Sequence, residues 1–416
     1  MRVWAMFSAS DSAVHRWQPT ANMIETAPLD GFVTMLGSAD WSDRIAALTE
    51  AGRMPTRAGR AILQRHCIEL TIERLRRMPL TRLPSAAERC IVADTAEALS
   101  TLLGLSRPGR EQFLARLRAS LVGQGCLVDT FHLLRIAAMR RSQGFQVQFA
   151  GFELGAPFDL LIRRGGVAAE IACDVLSAEE GRGIHRRAWL RLVDGLDREL
   201  QAWLRSNPGR YLMKMTLHGR LHDEDDVLQA KVQTRIRNTL RHRTFSEGDV
   251  AATVRLEPLA LPTANADEPS LMPRLRHEFG PEAHLTVISA GGSVIALAAR
   301  AERENDVATA VNRHLKAAAS SRLSGQHPGV IALFIEDLGQ LEWRLLRETL
   351  QLEGEIRQFM THKVASCVAA VSCTSRLELF GMVSAGAEPQ GEVRFRNPSH
   401  PSAKLEALAP AVSSSS

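Results

Sequence analysis

An α/β fold opening on a helical region is the prediction for this 416-residue chain, and three features carry it. Apolar residues up to about residue 127 recur at helical spacing only. From residue 128 the period changes, and "FQVQFAG", "FDLLIRR" and "VAAEIACDV" read as short strands between amphipathic helices. Beyond residue 220, strand-like and helix-like stretches alternate again. The expected divisions are a helical domain over 1–127, an α-β-β-β-α-β core over 128–220, a further α/β region over 221–405 and a disordered tail over 406–416.

Each element has a local reason. "PTRAGRAILQRHCIELTIERLRRM" places Ile62, Cys67, Leu70 and Leu75 on one stripe and predicts one helix. "PSAAERCIVADTAEALSTLLG" is a second helix closed by Gly104, and "SRPGREQFLARLRASLVGQG" is a third. "DTFHLLRIAAMRRSQG" opens the core as a helix with Asp129 or Thr130 near its start. Gly165-Gly166 then makes the hairpin turn between two strands. "SAEEGRGIHRRAWLRLVDGLDRELQAWLRSN" reads as one long helix, with Trp189, Leu192, Val193, Leu196, Leu200 and Trp203 on its apolar stripe. "RYLMKMTL" is the strand that closes the core. The acids of "HDEDDVLQAKVQTRIRNTLRHR" precede its bases, as a helix dipole favours. Strands at "VAATVRLEPL", "HLTVISA", "SVIALAAR", "GVIALFIEDL" and "VASCVAAVSC" follow. Helices at "ENDVATAVNRHLKAAASSRL" and "QLEWRLLRETLQLEGEIRQF" lie among them, and "LPTANADEPS" is a loop.

Composition narrows the function classes. A net charge of +5 permits an anionic partner without demanding one. Most of that charge is arginine, and no lysine precedes Lys214. The six cysteines form no C-x-x-C pair and no zinc-spaced cluster, so free thiols in a reducing cytoplasm are expected. No apolar run is long enough to span a membrane, and the start "MRVWAMFSASDSAVHRW" lacks a signal-peptide core. Aromatic residues suited to base stacking are few.

The chemistry concentrates in "PFDLLIRRGGVAAEIACD", residues 157–174. Asp159 stands on one strand, Glu170 and Asp174 on the next. This segment resembles the core of the PD-(D/E)XK nuclease superfamily, the restriction-endonuclease-like fold. "AEIACDVLSAEEGRGIHR" resembles a bacterial branch of it, in which the strand runs Glu-Cys-Lys, a Ser follows three residues later and Gly-Arg opens the next helix. "HPGVIALFIEDL" and "FRNPSHP" are similar to stretches of the same branch. The resemblance implies a Mg²⁺ or Mn²⁺ ion held by an Asp and a Glu against the scissile phosphate. It also implies a Lys two residues after the Glu, which shares its strand face.

Two registers are open. Anchoring on Ser177, Gly181 and Arg182 puts the family's Glu at Ala172 and its Lys at Asp174, so both are lost. Anchoring on Glu170 leaves Ala172 in place of the Lys and displaces the Glu by about 6–7 Å along the strand. A metal site of Asp159, Glu170 and Asp174 follows from the second register, with Arg182 or Arg186 replacing the lysine. Ser177 and Glu180 fit a capping box. They also open a helix beside Arg182, His185, Arg186 and Arg187, which suits phosphate, so Ser177, Arg182 and Arg186 are the phosphate-binding candidates. His132 is read as filler.

The leading expectation is a cytoplasmic, nuclease-like protein with a degenerate motif, binding nucleic acid, duplex DNA foremost, through the helix near Gly181. An active Mg²⁺-dependent nuclease with the rearranged site is the alternative. A non-catalytic scaffold is the third reading, with the N-terminal helices contacting a partner protein or a second copy in a homo-oligomer. No membrane partner is expected.

Overall fold

The computed structural model describes residues 27–53, 55–77, 84–242, 251–259, 268–303, 305–376 and 392–414. The N-terminal region is helical, as expected, in α1 (Ala27–Leu36), α2 (Ser38–Arg53), α3 (Arg57–Arg65), α4 (Cys67–Arg77), α5 (Ala86–Gly104) and α6 (Arg107–Ala119). The single helix expected across residues 55–78 breaks at His66. That residue caps α3 and places Nδ1 3.2 Å from both Arg44 Nη2 and Glu69 Oε1. After the break, Ile68, Ile72 and Leu75 carry the buried stripe.

The core elements follow: α7 (Val128–Ser142), β1 (Gln146–Gln148), α8 (Ala150–Leu154), β2 (Leu160–Arg164) and β3 (Val167–Ser177). Gly165 and Gly166 both adopt left-handed φ values, +55° and +76°, which the two-residue hairpin turn requires. Three strands thus meander as predicted, with β1 antiparallel to β2 and β2 antiparallel to β3.

The chain then departs from the expected order. A 3-10 turn over Ala178–Gly181 replaces the start of the long helix. Helix formation resumes only at α9 (Arg186–Asp194) and, after a break at Gly195, α10 (Asp197–Ser206). The next strand, β4 (Arg210–Leu217), does not join β3. It pairs with β5 (Ala252–Pro258) and β7 (Ser293–Ala301), and β6 (His284–Ala290) completes a separate sheet of order β5-β4-β7-β6. Helices α11 (Asp226–His242) and α12 (Glu268–Phe279) lie between those strands in sequence. The predicted stripe does pack: Trp189, Leu192, Val193, Leu196 and Leu200 are buried against Met213, Met215, Ile295 and Leu297 of this second sheet. The stripe was legible, but not which sheet it covers.

The first sheet resumes with α13 (Val307–Ser321) and β8 (Gly329–Glu336), which lies parallel to β3. The α-β-β-β-α-β order therefore exists, made by α7, β1, β2, β3, α13 and β8 with residues 182–306 inserted between β3 and α13. At the neck of the insertion the Asp306 N–H donates to Gly181 O at 2.7 Å. A Cβ on Gly181 would lie 2.5 Å from Val307 Cα, so glycine permits this closure.

Helices α14 (Gln340–Glu348) and α15 (Gln351–Met360) replace one expected helix, broken at Leu350, whose φ is +59°. Strand β9 (Val368–Ser375) then pairs parallel to β8, and β10 (Val393–Arg396) closes the sheet as β1-β2-β3-β8-β9-β10. Alternate side chains of β3 and β8 face opposite layers. Ile171, Cys173, Ala332 and Phe334 meet the N-terminal helices and α7, while Ala172, Leu176, Ile331 and Leu333 meet α13 to α15. The expected disordered tail is corrected. Residues 406–408 form a 3-10 turn leading into α16 (Ala409–Val412), and Leu408, Ala411 and Val412 are fully buried in the first core. Their apolar side chains outweigh the polar run that follows. The loop expected at "LPTANADEPS" falls outside the described residues up to Asp267, and Glu268 starts α12.

Candidate functional site

Asp159 stands just before β2. The register sets Leu160 opposite Ile171, which puts Asp159 at the end of the β2–β3 pairing. Its backbone N–H donates to Ile171 O at 3.0 Å, and the Cys173 N–H donates to its Oδ2 at 2.8 Å. The carboxylate is buried, and two guanidiniums hold it. Arg116 Nη1 donates to Oδ1 at 2.9 Å, and Arg322 Nη2 donates to Oδ2 at 2.7 Å.

Asp174 lies on the same face of β3 as Ala172 and is the second anchor of Arg322, through Nη1. His314 Nε2 of α13 is 3.5 Å from its Oδ2. Burial would raise the Asp174 carboxyl, but His314 and Arg322 outweigh it and hold it below its ordinary value. Arg322 also donates from Nε to Pro157 O at 3.1 Å. Arg116 forms a two-pronged pair with Asp129, at 3.1 and 3.0 Å. Burial opposes the charge on Arg116, but Asp129 and Asp159 raise its pKa well above the ordinary value.

Glu170 is elsewhere. It is fully buried, and its carboxylate closes the turn after α13, taking the Ser324 N–H at 2.8 Å, the Ser324 hydroxyl, and the His327 N–H at 3.3 Å. The structure therefore brings Asp159 and Asp174 together around Arg322 and leaves Glu170 out of the group. Among the described residues no set of three or more His, Cys, Asp and Glu side chains is arranged to hold a metal ion. The donor set does not fit Mg²⁺. Ala172 offers no ligand, and both nearby carboxylates are already bound by guanidiniums, so a divalent ion would have to displace them.

Ser177, Arg182 and Arg186 come together at the neck, around Asp337 and Glu342, and their polar atoms are engaged to different degrees. Ser177 Oγ donates to Asp337 Oδ2 at 2.7 Å and accepts the Glu179 N–H at 3.2 Å, so it caps the 3-10 turn without a Glu180 partner. Arg182 is buried at the neck, held by Glu179, by Glu342 Oε2 at 2.5 Å and by Asp337 O at 3.0 Å. Burial disfavours its charge, and Glu342 and Glu179 more than restore it. Arg186 opens α9 inside the insertion, and among the described residues its guanidinium pairs with Glu342 alone, at 3.5 Å. Gly181 and Arg182 thus shape the insertion neck instead of opening a helix.

Sequence reading missed Arg116 and Arg322. Neither carries a local signal, and they lie 43 and 163 residues from Asp159. His132 is a core residue, as read, with Nε2 2.9 Å from Ala332 O and a pKa lowered by burial. The acids before α11 divide their roles. Asp225 caps the helix by accepting the Leu228 N–H at 2.9 Å, and Asp223 pairs with Arg187 at 2.8 Å. All six cysteines are free, and no described helix is long and apolar enough to cross a membrane. No protein-family model, curated protein or solved structure matches the chain.

Proposed function

We propose that this chain is a nucleic-acid-binding protein built on a nuclease-like core whose cleavage centre has been replaced by internal ion pairs. One observation carries the reading. Asp159 sits beside Ile171 and Ala172 of β3, and Arg322 bridges Asp159 and Asp174, the acids to which the resemblance assigns the metal and its neighbouring position. This favours the register in which the family's Glu and Lys became Ala172 and Asp174, over a migrated Mg²⁺ or Mn²⁺ site with Glu170. The α-β-β-β-α-β order of the first sheet supports the likeness.

The net charge of +5 and the outward face of α11 support an anionic partner. Lys231, Thr234 and Asn238 are exposed on that helix, on one face with part-buried Arg235 and exposed Asp226. In this reading they contact phosphates of duplex DNA, which takes over the role expected of the Gly181 region. The free thiols, with Cys126 pushed up to about 12 by burial, fit a reducing cytoplasm.

The test combines cleavage and binding on plasmid, linear and single-stranded DNA and on RNA, with Mg²⁺ or Mn²⁺. The natural protein is expected to bind with a steep negative salt slope, lessened by about one unit in Lys231→Gln, and to cut nothing. Cutting that disappears in Asp159→Ala would overturn the proposal in favour of an active nuclease. Absence of DNA affinity would favour a scaffold. Metal-dependent cutting gained by Ala172→Glu with Asp174→Lys would mark a decayed centre on an intact frame.

A further inference from the structure

The seam between the insertion and the first sheet holds a second arginine cluster that the proposed function does not use. Arg182, Arg186, Arg276 and Glu342 line a cavity of about 190 Å³ there, with Trp189 and His284 among the walls. A cavity of about 260 Å³ shares Pro281, Glu282, His284 and Asn305 with it and adds Arg300 and Arg303. Together the two cavities are lined by five arginines and two glutamates, so their charge is positive.

The cations are not equally satisfied. Arg182 takes both oxygens of Glu342, at 2.5 and 3.3 Å, and binds Glu179 as well. Arg186 is left with its single 3.5 Å contact to the same carboxylate. Arg276 spends Nη1 on the carbonyls of Gly280, Pro281 and Ala283, at 3.1, 3.0 and 2.6 Å, and forms no ion pair among the described residues. Burial weakens the charge on both, and the Arg186 charge weakens Arg276 further. His284 is pushed down to about 3 by burial and by these same arginines, so it adds no cation. Two guanidiniums that repel each other across a partly enclosed cavity are stabilised by a ligand carrying two negative charges. A monocarboxylate neutralises only one of them. A phosphate monoester carries between one and a half and two charges at neutral pH and accepts paired guanidinium bonds.

We propose that Arg186 and Arg276 bind a phosphate dianion at this seam, either free phosphate or the phosphate of a nucleotide-sized ester whose remainder enters the adjoining cavity. The site is separate from the Asp159 centre and stands whether or not the chain binds nucleic acid. Its occupant would bridge α9 and α12, both within the insertion, beside Glu342 of α14.

Equilibrium dialysis of the full chain at constant ionic strength, with radiolabelled phosphate and with AMP, tests this. Saturable binding is expected, weakened about tenfold or more by Arg186→Gln and not displaced by equal acetate. Tighter binding of AMP would assign an organic monoester. Phosphate binding that AMP does not compete would assign the free ion. The proposal is overturned if neither ligand saturates at millimolar concentration, if Arg186→Gln binds like the natural protein, or if acetate competes equally. Arg186→Gln is the deciding variant because the Arg276 guanidinium also ties its own loop together, and its loss could unfold that loop.

Discussion

At the residue scale, Arg322 decides what the Asp159 region can do. Its guanidinium joins two carboxylates that would otherwise repel each other, one of them buried. Removing one partner from such a group leaves charge uncompensated. Arg322→Ala is therefore expected to destabilise the fold by about 1–3 kcal/mol in urea unfolding, discounted because the arginine is part exposed. A loss near zero would show that the bridge is not what holds these strands. Asp94 of α5 gives a second residue-scale prediction. It is buried, and one of its oxygens has no partner. Burial, opposed by Arg135 and reinforced by Glu97, pushes its carboxyl from 3.8 up to about 7. The folded state then holds a proton that the unfolded chain releases, so stability falls as pH rises from about 4 to about 7 and levels off above. Asp94→Asn is expected to flatten that fall and to raise stability at pH 8 by on the order of 2–4 kcal/mol. Parallel pH profiles for the two proteins would count against the assignment.

At the element scale, short apolar segments matter more than their length suggests. Leu408 is fully buried within a tail of otherwise small residues and packs beneath the first sheet. Leu408→Ala should cost about 2–4 kcal/mol, as for other buried leucines, measured by thermal or urea unfolding. An unchanged midpoint would mean that the 406–412 segment does not contribute to the core. Helix breaks at His66, Gly195 and Leu350 follow the same logic. Each turns the chain, and at Gly195 and Leu350 both halves bury apolar residues. At Leu350 the chain accepts a left-handed non-glycine residue to make the turn.

At the scale of the whole molecule, two sheets share one chain through a narrow neck. The Gly181–Asp306 hydrogen bond brings the ends of the insertion together. Replacing residues 183–304 by a short glycine linker should leave a first sheet that unfolds cooperatively, at a lower temperature than the intact protein. The loss reflects missing contacts such as Arg57 with Asp194 and Asp197, at 3.2 and 2.8 Å, and Arg186 with Glu342, at 3.5 Å. Circular dichroism showing no cooperative transition would mean that the two sheets fold only as one unit.

The sequence by itself determined the α/β class, the helical N-terminal region, the Gly165-Gly166 hairpin, the buried strands and the shared face of Glu170, Ala172 and Asp174. These follow from period, turn chemistry and side-chain alternation, which act over a few residues. Tertiary structure decided which strands are neighbours, because β4 and β8 are both apolar and only long-range pairing assigns one to each sheet. It also decided the partners of each acid. Glu170 meets Ser324, Asp159 meets Arg116 and Arg322, and Arg182 meets Glu342, all across separations that leave no periodic trace. A charge in a sequence shows that a counter-charge is needed once it is buried, and only the fold selects which one supplies it.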